Sequence, residues 1–481
     1  MQKGAQHMEY SVDESMLLLF NPARGALALT ERHFWDNIQP YKLNQQEEKL
    51  LKETGFLPGG EYSSDQAIAQ FRQLKLKTRP TTFFITPQLD CPMGCVYCFQ
   101  QNSRSTKRLQ PQHIAEIDDF IVRYAAERNL DNSKIALVLF GGEPLLPSLR
   151  EFNRNLLKLA KHRGYAADIV TSGVSIDQYY LDLTSQYAEI IREVNITLDG
   201  SAGVHNRLRP TQGGGDSYTL IKENVDKLLD RGIRVLVKTN FGHHTCQGAE
   251  NFLRDMQNYG WFERYNFVFA ASLVREYGKV STQGEVMDEG ELVIRMVELF
   301  RSQEFSHLLP KLRLESLRLT DNLAHAFKLL EYHDPKQGQI NLFDGYPKYA
   351  ACHPGDGTTV NISYDGRVYS CNWMVGKEHL SVGSIFAEYS IPSPQPQDYI
   401  YKNQCKACDI RTLCGGGCLI EAAEDQSFYQ DCYTTARKTI DGFIRECIRR
   451  GWLETDLGPN RFRVIRPSFD FNYRYESRLT R

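Results

Sequence analysis

The chain has 481 residues, 41% of them hydrophobic and 24% charged, with a formal net charge of −2. That is an ordinary globular composition with room for about two to four domains, and it offers no electrostatic case for nucleic acid or an acidic membrane. No uncharged apolar run is long enough for a membrane helix, and the opening MQKGAQHMEYSV lacks a signal peptide's apolar core, so a cytoplasmic protein without membrane or nucleic-acid partners is expected.

Residues 1–78 read as a small N-terminal α+β unit. Two apolar runs within Met16–Leu29 flank a turn at Asn21–Gly25, which predicts a hairpin, and helical segments follow over Arg32–Ile38 and Asn44–Thr54. The unit is expected to cap the next domain. A peptide-docking role is the alternative, because an exposed strand edge accepts a peptide strand.

From 79 to 305, apolar strands alternate with amphipathic helices. Strands are predicted at Thr82–Thr86, Lys134–Phe140, Ala167–Thr171, Val194–Leu198, Val235–Thr239 and Tyr265–Ala270, with helices such as Gln110–Arg128, Leu149–His162 and Leu220–Asp230 between them. This alternation means βαβ units and a parallel sheet, so the fold class is α/β and the architecture a partial (β/α)6 barrel. Residues 306–345 read as a helical bridge. Residues 346–440 are rich in cysteine, with a hairpin signal at Asp365-Gly366 between Thr359–Tyr364 and Arg367–Ser370; so small a region needs metal to hold it together. Residues 441–481 read as a C-terminal helix and tail: a helix near Ala436–Arg449, then the basic-aromatic RFRVIRPSFDFNYRYESRLTR.

Ten of the twelve cysteines fall in two dense groups, which in a long chain without an export signal favours metal or catalysis over disulfides. Cys91, Cys95 and Cys98 form C-x3-C-x2-C after the first strand. Three thiolates so close can face one inorganic cluster and leave one corner without a protein ligand, where another molecule can bind iron. Read alone, the triplet also suits zinc. The second group is Cys352, Cys371, Cys405, Cys408, Cys414, Cys418 and Cys432, with Gly366 completing C-x13-G-x4-C. Seven ligands do not divide into two closed four-cysteine zinc sites. Cys246 and Cys447 stand apart as packing residues. Three more strand ends carry glycines and polar groups, at Gly141-Gly142-Glu143-Pro144, Ser172-Gly173 and Asp199-Gly200. That is where β/α barrels place active sites.

These motifs together resemble the radical S-adenosylmethionine (SAM) enzymes. In that family the triplet holds a 4Fe–4S cluster whose unique iron binds SAM, and reductive cleavage yields a 5′-deoxyadenosyl radical that takes a hydrogen atom from substrate. The resemblance implies cofactor contacts from Tyr97 to adenine, from the Glu143 carboxylate to the methionyl amino group, with Gly141 and Gly142 allowing close backbone approach, and from Ser172 to ribose. It also implies that Asp199 shapes the site and Arg209 partners a carboxylate, while His205 is at least as well read as structural. The second cysteine set resembles the SPASM extension, which implies two auxiliary 4Fe–4S clusters: Cys352, Cys371 and Cys418 on the first, Cys405, Cys408, Cys414 and Cys432 on the second. No eighth cysteine completes the first set, so its last position falls to water, another side chain or a substrate thiolate. Enzymes of this architecture mostly modify peptides. The resemblance implies a maturase that cross-links a ribosomally made precursor peptide carrying a leader, with an electron donor such as flavodoxin or ferredoxin. The alternatives are a sulfatase-type maturase forming formylglycine, which has aspartate where Asn372 follows Cys371, and a non-catalytic iron–sulfur scaffold.

Overall fold

A computed structural model describes residues 7–38, 43–60, 80–103, 107–275, 284–315, 319–343, 357–387, 408–414 and 428–466, with positions 63, 65–70, 73, 105, 317, 405 and 468. Cys352 and Cys418 lie outside these described residues.

All six expected parallel strands form: β4 (Thr81–Ile85), β5 (Ile135–Leu139), β6 (Ala166–Thr171), β7 (Ile191–Thr197), β8 (Val235–Phe241) and β9 (Phe267–Leu273). Helices Ile114–Arg128, Arg150–Arg163, Gln178–Gln186 and Ser217–Asp230 cross between them. Their apolar stripes, for example Ile117, Phe120, Ile121 and Tyr124, pack on the sheet's outer face in one continuous core.

Beyond β9 the bridge is not simply helical. It supplies a seventh parallel strand, β10 (Leu312–Leu314), and a separate hairpin, β11 (Glu331–Asp334) with β12 (Gly338–Asn341). Its helical parts are Asp321–Ala326 and a 3₁₀ stretch, Ser306–Lys311. A three-residue strand leaves too little alternation to read in advance. At the other edge the expected hairpin forms as β13 (Thr359–Ile362) and β14 (Arg367–Tyr369), followed by β15 (Gly383–Ser384). β13 pairs in parallel with β4, so the cysteine-rich region continues the barrel sheet, which runs β10-β9-β8-β7-β6-β5-β4-β13-β14-β15 and stays open. Phe84 on β4 and Glu315 just past β10 line the same cavity, so the parallel part curls around it as a partial barrel.

The N-terminal sheet orders β1 (Met8–Ser11), β2 (Met16–Asn21), β3 (Ala26–Glu31) and β16 (Phe462–Arg466). Residues 1–78 therefore do not build this sheet alone, because the stretch expected as a tail supplies its last strand. Along β2 the side chains alternate: Leu17 and Leu19 join Trp35 and Phe56 in a small core of their own, whereas Leu18 and Phe20 join the main core. β16 pairs antiparallel with β3 and is, with β1, an outer strand of this sheet. It is anchored by Arg466, whose guanidinium donates to the carbonyls of Gly25 (2.7 Å) and Asn322 (2.9 Å). The long helix Phe428–Arg449 packs Ile440, Phe443 and Ile444 into the main core. Cys447 is fully buried there, and Cys246 packs partly buried against it.

Candidate active site

Three loops at the C-terminal ends of the strands are laced together. The amides of Gly94 and Val96 donate to the carbonyls of Pro210 (2.6 Å) and Leu208 (2.9 Å), and the Gln212 side chain donates to the Cys91 carbonyl (2.6 Å). The cysteine loop is thus pinned to the loop that carries Arg209. On its other side the amide of Glu143 donates to the Asp90 carbonyl (2.8 Å). A methyl group on Gly142 would lie 2.2 Å from that Asp90 oxygen, and one on Gly141, at φ +136°, 2.7 Å from the Gln88 carbonyl. The turn can lie this close to the cysteine loop only with glycine at both positions.

Cys91, Cys95 and Cys98 line one cavity of about 650 Å³ on the inner face of the sheet, together with Tyr97, Gly141, Gly142, Ser172 and Arg209. Burial, reinforced by the Glu143 charge, pushes the Cys91 thiol up to about 12. Burial also raises Cys95, while the Arg209 cation opposes it. Cys91 senses both other thiols electrostatically, so the three sulfurs share one neighbourhood. Among the described residues no three His, Cys, Asp or Glu side chains are gathered onto a single metal ion. A donor set of three separate sulfurs around a cavity suits a cluster that takes one thiolate per iron and leaves a corner open.

Glu143 is fully buried behind the cavity wall. Its Oε1 accepts from Thr171 Oγ1 (2.6 Å) and the Leu145 amide (3.0 Å); its Oε2 accepts from the Ser172 amide (2.9 Å) and the Ser172 hydroxyl. Four bonds fill a carboxylate's four acceptor positions. An amino group therefore reaches Glu143 only if one of the two hydroxyls, of Thr171 or Ser172, gives up its place on the carboxylate.

Asp199 is also fully buried and holds a second network. It accepts from the Asn240 amide (2.8 Å) and from the Tyr97 hydroxyl; that hydroxyl in turn accepts from Arg209 (3.0 Å) and the Asn240 side chain (3.2 Å). Arg209 lies 3.8 Å from the Asp199 carboxylate. The Tyr97 ring is thus fixed through its hydroxyl, with the phenol held protonated by burial and by Asp199. His205 is fully buried and accepts the Asp199 amide hydrogen on Nδ1 (3.0 Å), and burial drops its pKa to about 3. It is a neutral structural acceptor that fixes the Asp199 turn.

In the second cysteine set, Cys405 and Cys408 are joined by an amide-to-carbonyl bond of 3.1 Å, and Cys414 ends the helical turn Arg411–Cys414. Cys408 is raised by burial and also by the charges of Asp409 and Cys432, so Cys432 stands within electrostatic range although 24 positions later. Asn372 and Trp373, directly after Cys371, enter the wall of the main cavity, where Trp373 packs on Phe99 with ring centroids 3.7 Å apart. The cavity wall also holds residues the sequence reading passed over, among them Asp168, Glu193, Lys238, Asn240, Arg313 and Glu315. Their signal was present: charges inside strands of a sheet covered on both faces are out of place unless they face a polar interior.

A parallel partial barrel with a cysteine triplet, a glycine-glycine-glutamate turn and polar groups gathered at its strand ends is the arrangement of a radical SAM enzyme. Residues 85–247 match the Radical SAM superfamily. The chain is 21% identical over 355 residues to the serine-type anaerobic sulfatase-maturating enzyme of Klebsiella aerogenes, covering 68% of this chain and 76% of that one. It is 22% identical over 363 residues to the cysteine-type anaerobic sulfatase-maturating enzyme of Clostridium perfringens (strain 13 / Type A), covering 70% and 89%. Its fold matches native anSMEcpe with bound AdoMet and Cp18Cys peptide, with a TM-score of 0.55 at 15% identity over 77% of this chain and 98% of that one. It also matches Streptococcus suis SuiB bound to precursor peptide SuiA, with a TM-score of 0.53 at 14% identity over 87% and 97%. This chain carries a radical SAM domain and is homologous to the anaerobic sulfatase-maturating enzymes, and its cofactors are SAM and 4Fe–4S clusters. No helix among the described residues is long and apolar enough to cross a membrane.

Proposed function

We propose that this enzyme is a maturase that takes a hydrogen atom from a peptide or protein substrate seated in the barrel and installs a thioether or carbon–carbon cross-link in a ribosomally made peptide. The observation that carries this reading is the cavity. One end presents three thiols and the glycine turn, and the other leaves polar-walled space beneath β8–β10, within the size range of sites that enclose a small molecule. SAM on a reduced 4Fe–4S cluster supplies the hydrogen-abstracting radical. In this reading Cys91, Cys95 and Cys98 hold the cluster. Gly141 and Gly142 let the cofactor approach the backbone, Glu143 takes its amino group and Ser172 its ribose. Tyr97, fixed by Asp199, borders the adenine, and Arg209 faces the carboxylate. Phe99 and Trp373 close one side against water. Cys352, Cys371 and Cys418 would hold one auxiliary cluster and Cys405, Cys408, Cys414 and Cys432 another, fed by a one-electron donor such as flavodoxin or ferredoxin.

A second reading, formylglycine formation on a sulfatase, is favoured by the sulfatase-maturating relatives. Asn372 in the cavity wall, where that group has aspartate, counts against it. The test is anaerobic turnover with SAM, a strong reductant, and either sulfatase-derived cysteine and serine peptides or short peptides encoded beside the gene. Formation of 5′-deoxyadenosine with a product that has lost two hydrogens and does not react with hydrazides supports the cross-link. A hydrazide-reactive aldehyde on a sulfatase peptide establishes the second reading. Failure to form 5′-deoxyadenosine with any reductant sinks both.

A further inference from the structure

Buried polar groups in folded proteins almost always have partners, so each exception asks for an explanation. One exception stands beside the cysteine triplet. Gln100 is 5% exposed and lines the main cavity with Cys91, Cys95 and Cys98, yet its side-chain Nε2 is enclosed and meets no acceptor among the described residues. It comes two positions after Cys98, so the two Cα atoms are within about 7 Å of each other. The placement is fixed. The Gln100 carbonyl accepts the Ser103 amide (3.0 Å) at the 3₁₀ turn Gln101–Ser103. Phe99 is pressed on Trp373, and a methyl on Gly376, at φ +89°, would lie 2.8 Å from the Ser103 Cβ. The loop is thus braced by its own turn and by the segment that follows Cys371.

Other donors at this end of the cavity are engaged. The Ser172 hydroxyl is on Glu143, and Arg209 and the Asn240 side chain are on the Tyr97 hydroxyl. In the cysteine loop itself the amides of Gly94 and Val96 are spent on Pro210 and Leu208. The amides of Cys98 and Gln101 go to the carbonyls of Cys95 and Cys98 (both 3.2 Å), and that of Met93 turns to the Cys91 thiol. Gln100 therefore brings a carboxamide donor to the cluster site with its hydrogens uncommitted. Leaving such a donor buried and unpaired is costly, and the acceptors its position offers are the sulfurs of a bound cluster.

We propose that the Gln100 carboxamide donates a hydrogen bond to a sulfur of the cluster held by Cys91, Cys95 and Cys98, and so raises that cluster's reduction potential. This rests on the assignment of the triplet to the SAM-binding cluster and adds a residue that tunes it. Hydrogen bonds to the sulfurs are one of the means by which a protein sets such potentials. Reduction adds one electron, hence one negative charge, to the cluster. A donor stabilises the more negative state more strongly, so the reduced form gains. Phe99 and Trp373 make the adjoining wall aromatic, and in a low local dielectric the bond acts more strongly than in water. Gln100 thereby eases the entry of the electron that SAM cleavage requires.

The test uses the full-length holoenzyme, reconstituted and reduced without air. The triplet's cluster is the electron paramagnetic resonance signal that vanishes when Cys91, Cys95 and Cys98 are changed together to alanine. With glutamine labelled at its side-chain nitrogen, electron–nuclear double resonance on that signal should show a coupled nitrogen and an exchangeable proton. Gln100→Leu, similar in volume but without a donor, should lose both. At a fixed mediated potential, Gln100→Leu should lower the ratio of reduced to oxidised cluster about three- to tenfold, tenfold being ~59 mV for one electron. Gln100→Glu, which sets a carboxylate at the same place, should lower it further. No labelled coupling in the parent, or a Gln100→Leu cluster whose ratio is unchanged or raised, overturns the inference and leaves water as the partner. Should Gln100→Leu fail to fold or to hold iron, the labelled coupling in the parent decides. A triple-alanine variant that loses no signal defeats the cluster assignment beneath the inference, whereas a sound assignment without the coupling defeats the inference alone.

Discussion

Acidification should loosen the Asp199 turn through one histidine. His205 is fully buried, accepts the Asp199 amide on Nδ1, and has its pKa lowered to about 3. In the unfolded segment the same side chain titrates near about 6.5. Between those values the unfolded state binds the extra proton, so stability rises with pH there and falls on acidification. From about pH 7.5 to about pH 5 this one group removes about 2 kcal/mol from the local opening free energy, a factor of about 30 in the opening equilibrium. Hydrogen exchange by mass spectrometry, corrected for intrinsic rates, reads this directly on a peptide spanning residues 196–210. Its protection should fall about 30-fold more than that of the core helix Arg150–Arg163. His205→Asn keeps an acceptor for the Asp199 amide but cannot titrate, and should lose the extra fall. His205→Ala leaves that amide unpaired and should weaken the turn at every pH by about 1–3 kcal/mol. Equal pH response in the parent and His205→Asn would refute both the burial argument and the assigned tautomer.

Three further outcomes are expected. Reconstituted protein should hold about twelve irons, and changing Cys91, Cys95 and Cys98 together to alanine should remove about four, whereas Cys246→Ala should remove none; iron analysis decides, and tightly held zinc would contradict it. Glu143→Ala should weaken SAM binding by about 1.5–3 kcal/mol in equilibrium dialysis, since a charge-assisted bond is lost; unchanged affinity would remove Glu143 from the cofactor's contacts. Gly142→Ala should force the turn off Asp90, because the new methyl would sit 2.2 Å from that carbonyl, and should cost cluster retention as well as cofactor affinity; normal iron content in this variant would show that the two loops move independently.

Where sequence and structure agree, the reason is local. The barrel strands announce themselves by unbroken β-branched and apolar runs such as IALVL at β5, and the Asp365-Gly366 hairpin by its turn chemistry, with Gly366 at φ +76°. What escaped depends on partners far along the chain. β10 is three residues long and exists because β9 offers it an edge. β16 exists because β3 does, across more than 430 positions, and nothing within FRVIR alone distinguishes a docked strand from a tail. That pairing also changes the meaning of the N-terminal sheet. The β3 edge is taken by the chain itself, with the buried guanidinium of Arg466 fastened to two carbonyls there, so the outer strands that a guest could meet are β1 and β16.

The site divides the same way. Cysteines, glycines and Glu143 were legible because their chemistry demands fixed spacing, and the close approach at Gly141 and Gly142 is the kind of constraint that leaves a mark in sequence. Asn240, Lys238 and Glu315 left only a weaker mark, a polar residue where a strand's pattern asks for an apolar one. Asn240 closes the argument about Tyr97. The ring could have been placed from the motif alone, but its hydroxyl is held by Asp199 from one loop, Arg209 from a second and Asn240 from the end of a third strand. A shift in any of those three elements is therefore felt at the residue preceding Cys98, which couples the geometry of the iron-binding loop to the part of the barrel where substrate is expected to lie.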